Sequence, residues 1–192
     1  GRSPDPTGRL IPAERRTRLF AAFLLLLAPT YSCSRGIVPP YREYLLAALK
    51  GEHAVAVVDT ADLELQWKLP TGIGPHQVAA HPSGRAVTAN YGSAENPGFS
   101  LTVLDLQLFR VKKTVSLGEF ERPHGIGFLQ DGRRVVVGSD KDRAVLVCDI
   151  ETGRVLQEIP TLQKGTAYIC ISEAEARVYA ASPESGSLAV LD

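Results

Sequence analysis

Two histidines, His76 and His124, are the residues best placed by type to do chemistry, and each stands directly after a proline. An imidazole can ligate a metal, hold a carboxylated ligand or transfer a proton near neutral pH. Asn90, Tyr91 and Glu95 follow the first histidine and Asp140 follows the second, adding donors, acceptors and an aromatic face suited to a small ligand. A metal site needs three or four ligands, and no spacing in the chain supplies a recognisable set. No G-x-S-x-G, Walker loop or H-E-x-x-H occurs, so no catalytic residue and no metal ligand is assigned. The plainer alternative is that both histidines serve packing and hydrogen bonding at the edge of a fold. His53 and His81, in a short loop and a hairpin turn, are expected to be solvated. Cys148 and Cys170 lie in apolar runs and are expected to act as buried small hydrophobes. Neither belongs to a C-x-x-C-H pair, which excludes covalently attached haem c.

A repeat must position these residues. The segment RPHGIGFLQDGRRVVVGSDKDRAVLVCDIETG, from Arg122, recurs upstream as GPHQVAAHPSGRAVTANYGSAENPGFSLTVLDL and downstream as GTAYICISEAEARVYAASPESGSLAVLD. The aspartates that end its apolar runs, Asp59, Asp105, Asp149 and Asp192, stand about 45 residues apart, the length of one propeller blade. The pattern predicts an all-β fold, a β-propeller of four-stranded antiparallel blades.

Within each unit four strands, a to d, run from the central channel outward. The unit beginning near residue 123 gives a at His124 to Leu129, b at Arg133 to Ser139, c at Ala144 to Asp149 and d at Val155 to Ile159. The preceding unit gives His76 to Ala80, Ala86 to Tyr91, Ser100 to Asp105 and Val111 to Leu117. The first unit supplies b to d from Tyr44, and the last supplies a to c from Thr166. Strand c reads AVAVVD, LTVLD, AVLVCD and LAVLD, apolar runs that predict burial on both faces. Strand d interleaves charges, as an outer edge requires. Gly84 and Gly132 fit tight a–b hairpins, and the recurring aspartates fit Asx-turns, a structural duty. In this topology the b–c loops and the starts of strand a share one rim, bringing His76 and His124 toward the longest loop, Gly92 to Phe99. Variable loops on a rigid scaffold are where binding is usually placed.

The runs PHQVAAHPSGRAVTAN and PHGIGFLQDGRRVVVGS, with TVLD, VCD and AVLD, resemble the YVTN-type β-propeller repeat. The resemblance covers 44–192 and implies a bacterial propeller superfamily that includes lactonase-like and quinohaemoprotein-subunit-like proteins, commonly exported. The chain departs from the pattern at Ala167, where the Pro-His histidine would stand, at the SEAE turn, and at Cys148 and Cys170.

The remaining sequence bears on location and extent. The 1–35 segment sets five arginines before the apolar run LFAAFLLLLA, the n-region and h-region pattern of an export signal and too short for a spanning helix. A lipid anchor at Cys33 is the alternative to plain export, to the periplasm or the extracellular space, and the sole membrane attachment expected. Residues 36–43 form a linker, and 44–192 form blade units near 44–74, 75–118, 123–160 and 166–192. These make about 3.4 blades, so the expected whole is a larger, seven-bladed propeller of which this chain is the N-terminal part. A net charge of +0 gives no case for nucleic acid. The expectation is therefore an exported binding or scaffold propeller, leaning away from an enzyme, with a small molecule or protein held at the rim. A metal-dependent lactonase-like hydrolase and a subunit of a periplasmic electron-transfer complex are the alternatives. The sequence specifies no cofactor.

Overall fold

The computed structural model describes residues 43–174 and 176–192. The 1–35 segment read as an export signal, with Cys33, and the expected linker through residue 42 lie outside the described residues. Among the described residues no helix is long and apolar enough to cross a membrane.

Fourteen strands form four antiparallel sheets, each a meander in chain order. The first contains β1 (Tyr44–Leu49), β2 (Ala54–Asp59) and β3 (Leu65–Pro70). The second contains β4 (Pro75–His81), β5 (Arg85–Gly92), β6 (Pro97–Asp105) and β7 (Arg110–Ser116). The third contains β8 (Pro123–Phe128), β9 (Arg134–Ser139), β10 (Ala144–Asp149) and β11 (Arg154–Pro160). The fourth contains β12 (Tyr168–Ser172), β13 (Arg177–Ser182) and β14 (Ser187–Leu191). The innermost strands neighbour one another, β4 against β8 and β8 against β12, so the sheets stand as successive blades of a partial β-propeller.

Turn chemistry sets the meander. Gly84 and Gly132 take φ of 81° and 61° in the hairpins before β5 and β9. Asp59 accepts the Ala61 N–H at 2.9 Å, Asp105 that of Gln107 at 3.0 Å, and Asp149 that of Glu151 at 2.8 Å, the Asx-turns that close each blade's outer corner. Asp149 also receives the Arg133 guanidinium at 2.8 Å, which holds its carboxyl well below the usual range. Asp192 differs, meeting Arg177 at 2.8 Å instead.

Apolar layers form between blades. Val55 and Val57 meet Ala86 and Leu104; Val87, Leu101 and Val103 meet Val135, Leu146 and Cys148; Val136 and Val145 meet Ala180. Strand c is buried along nearly its whole length in β2 and β10. On β14, in the last described sheet, Leu188 and Val190 are 57% and 51% exposed. Cys170, expected to be buried, is likewise exposed. The cause is shared: β12 to β14 pack one face on the third blade and turn the other to solvent.

Two boundaries differ from expectation by more than one residue. Strand β6 begins at Pro97, and Gly92 pairs with Pro97, so the long b–c loop shrinks to a turn over 93–96 closed by Ser93 N–H to Asn96 O at 2.8 Å. Strand β12 begins at Tyr168 rather than Thr166, because the Ala167 carbonyl turns to the neighbouring blade and accepts the Gly125 N–H at 2.6 Å.

Candidate functional site

The Pro-His pairs do something that strand periodicity does not disclose. The ladder between β4 and β5 slips between Pro75 and Val78, and that between β8 and β9 slips between Pro123 and Ile126. Proline brings no N–H to a ladder, and a bulge there re-aims the following side chain. In β8 the bulge frees Gly125 N–H for the Ala167 carbonyl, and a Cβ at Gly125 would lie 2.3 Å from that oxygen. Only glycine permits this approach of neighbouring inner strands. The bulges aim His76 and His124 at one another, with ring centroids 3.8 Å apart and planes inclined by 38°.

A second tier comes from the residue just past the matched ends of strand b. Leu49, Asn90 and Ser139 pair with Ala54, Ser100 and Ala144 at equivalent points of three blades. The next residues are Lys50, Tyr91 and Asp140. Lys50 Nζ lies 4.6 Å from the centroid of the Tyr91 ring, and the Tyr91 hydroxyl donates to Asp140 Oδ2 at 2.8 Å. The Tyr91 ring stands 5.4 Å from both imidazoles. Its backbone is fixed by the bond from Tyr91 N–H to Gly74 O at 3.0 Å, where Gly74 takes φ 60° with Gly92 O in the space of a Cβ. Arg122 places its guanidinium 5.1 Å from the Tyr91 ring and donates to Ala94 O at 3.3 Å. Tyr168 closes the group from the fourth blade, edge-on to His124 at 5.1 Å.

Burial governs the electrostatics. It pushes the His124 pKa from its ordinary 6.5 down to about 4, helped by the neighbouring His76 and opposed by Asp140. His76 shifts the same way, through burial and then Lys50. Burial and the Asp140 hydrogen bond raise the Tyr91 phenol. Both imidazoles are thus neutral at pH 7, and the Nδ1 atoms of both are buried without a hydrogen-bond partner. A buried polar atom left unpaired is costly, and packing alone gives no reason to keep it.

Of the six residues singled out from sequence, the structure brings His76, His124, Tyr91 and Asp140 together. Asn90 is corrected: it is buried, and its Nδ2 donates to Ser100 Oγ and Thr102 Oγ1, both at 3.0 Å. Its counterpart Ser139 likewise binds inward, to Glu121 O at 2.7 Å, so this position ties the end of strand b to its surroundings. Glu95 is exposed at the tip of the 93–96 turn and outside the group that sets the imidazole and phenol pKa values. His53 is exposed, as expected, and His81 is half-buried, and each also makes a contact. His53 Nδ1 accepts the Gly74 N–H at 3.1 Å, and the His81 ring stands 5.4 Å from Phe128. Lys50, Arg122 and Tyr168 were not singled out from sequence. Aligning the residue after strand b across blades would have found Lys50, whereas Arg122 and Tyr168 carry no such signal.

Among the described residues no group of three or more His, Cys, Asp or Glu could hold a metal ion. No protein-family model matches the chain, and no curated protein matches it in sequence. A solved structure of Kuenenia stuttgartiensis hydrazine synthase is similar, with a TM-score of 0.67 and 22% identity over 78% of this chain. The match covers 42% of that protein's chain, so the present chain spans less than half of its length. At this identity the likeness is one of fold: four antiparallel blade sheets with a shared rim make the chain a partial β-propeller.

Proposed function

We propose that the chain is the rim-bearing part of an exported binding propeller, with a small molecule or a partner segment held over His76, His124, Tyr91 and Asp140. One observation carries this reading. Two closely apposed, tilted imidazoles on adjacent bulges keep buried Nδ1 atoms unpaired in the fold, beside a tyrosine flanked by two cations. Polar groups that the fold does not satisfy mark candidate sites. Export and kinship with the YVTN-type repeats belong to the same proposal and rest on the basic flank, the apolar run and the Pro-His strands. No side-chain grouping among the described residues favours the hydrolase or electron-transfer alternatives.

Histidine NMR tests the proposal, because the chain has 4 His. A chemically diverse set of small molecules is added while the imidazole C–H signals are followed. The expected result is that some compounds shift His76 and His124 and leave His53 and His81 in place. Signals that stay fixed throughout, or four that move together, would overturn it.

A further inference from the structure

We infer that the ligand of this rim carries an oxyanion, a carboxylate or a phosphate, held between Lys50 and Arg122 across the face of Tyr91. The inference rests on the binding reading above and names the chemistry of its ligand.

Charge bookkeeping at the rim supports it. Several other surface cations pair with carboxylates, as Lys68 does with Glu52, Lys141 with Glu121 and Arg177 with Asp192, while Arg143, Arg154 and Lys164 resemble Lys50 and Arg122 in making no ion pair among the described residues. Lys50 and Arg122 have no carboxylate within ion-pair distance among the described residues, and both sit against the Tyr91 ring. A ring face does not neutralise a cation, so both charges stay available to an incoming anion. The single carboxylate of the group, Asp140, has Oδ2 engaged by the Tyr91 hydroxyl. Two cations against one carboxylate leave the cluster net positive, and a cationic ligand would meet repulsion from both sides.

The imidazoles complete the donor set. A neutral imidazole carries one N–H, and a protonated one carries two. An oxyanion beside His76 and His124 accepts from the first and stabilises the second, opposing the burial that keeps both rings neutral. Charge-assisted hydrogen bonds to guanidinium and ammonium groups are the strong contacts in such a site. Carboxylate and phosphate share this chemistry and are separated by experiment.

The test uses the whole chain at low salt with three probes: benzoate, inorganic phosphate and tetramethylammonium. The readout is the imidazole signals of His76 and His124. Benzoate or phosphate is expected to shift them, and whichever binds more tightly assigns the source; tetramethylammonium is expected to do nothing. Lys50→Gln and Arg122→Gln should each weaken anion binding about tenfold, the loss of one charge-assisted contact. Asp140→Asn, which keeps an acceptor for the Tyr91 hydroxyl, should strengthen it about threefold. Circular dichroism of each variant confirms that the blades are intact. Binding of tetramethylammonium that is lost in Asp140→Asn would overturn the oxyanion, as would affinities indifferent to all three substitutions. Shifts caused only by uncharged compounds would overturn it and leave the rim-binding reading standing. Signals unmoved by any compound would sink both.

Discussion

The third and fourth blades are built on one repeat and differ in how strand c is covered and in what the rim carries. In the third, β10 is covered on both faces, and the rim carries His124 and Asp140. In the fourth, β14 alternates between half-buried and exposed, and the matching rim positions are Ala167 and Pro183. The fourth blade therefore lends the site only the Tyr168 ring, and its inner strand serves chiefly as the wall against which Gly125 closes. The imidazoles of the rim come from the blades whose inner strands bulge at Pro-His, and the first blade adds Lys50. Packing and chemistry are thus written at different positions of the same repeat.

The sharpest way to break this comparison is to truncate one strand-c leucine in each of the two blades. Leu146→Ala, at a fully buried position, should cost about 3 kcal/mol. Leu188→Ala, at a position 57% exposed, should cost under about 0.5 kcal/mol. Urea denaturation monitored by circular dichroism measures both; equal losses would mean that the fourth blade is covered on both faces in solution.

Next comes the contact between inner strands. Gly125→Ala sets a Cβ against the Ala167 carbonyl, and should cost about 2 kcal/mol of stability. It should also part the His76 and His124 rings, which the loss of cross-peaks between their protons would report. Tyr168→Gly, at the matching place in the fourth blade, should cost less, about 1 kcal/mol, because that side chain is 50% exposed and the loss is chiefly that of placing glycine in a strand. If both variants behaved alike, the bulge would not be what sets the histidine pair.

A smaller effect separates His124 from Ala167. Between pH 6.5 and about 4 the unfolded chain binds a proton at His124 that the folded chain refuses, so stability falls as pH drops through that window. Allowing for screening at the rim, the loss is about 2 kcal/mol. His76 contributes in the same direction. His124→Ala, which copies the fourth blade, should flatten this part of the pH profile; an unchanged slope would show that the ring is not held neutral by burial.

The cysteines give the mildest contrast, with no change in stability required. Cys148 is buried, with its thiol pushed up to about 12 by burial, whereas Cys170 is exposed. Brief treatment with iodoacetamide followed by peptide mass spectrometry should label Cys170 and spare Cys148. Equal labelling would mean that the third blade opens as readily as the fourth is exposed.

Much of the fold was legible because its signals are local. The a–b hairpins follow from Gly84 and Gly132, the outer corners from Asp59, Asp105 and Asp149, and the strand order from a repeat that places each strand beside the one before it. Part of the site was legible for the same reason, since His76 and His124 sit at one repeat position. Asn90 was misread because a polar residue at a strand end looks the same whether it faces solvent or, as here, Ser100 and Thr102. Lys50, Arg122 and Tyr168 were overlooked because each comes from a different blade or connection, and their shared neighbour, the Tyr91 and His124 rings, exists only once the blades are side by side.

The sequence by itself determined the blade repeat, the turns and the rim on which the histidines fall, since these depend on backbone preferences and hydrophobic period over a few residues. The tertiary structure alone decided which apolar faces are covered, that the Pro-His bulges bring the two imidazoles together, and that their Nδ1 atoms lie buried and unpaired. Those outcomes depend on distances between chain segments a full blade apart, and burial, ring stacking and pKa are set by such distances rather than by residue type.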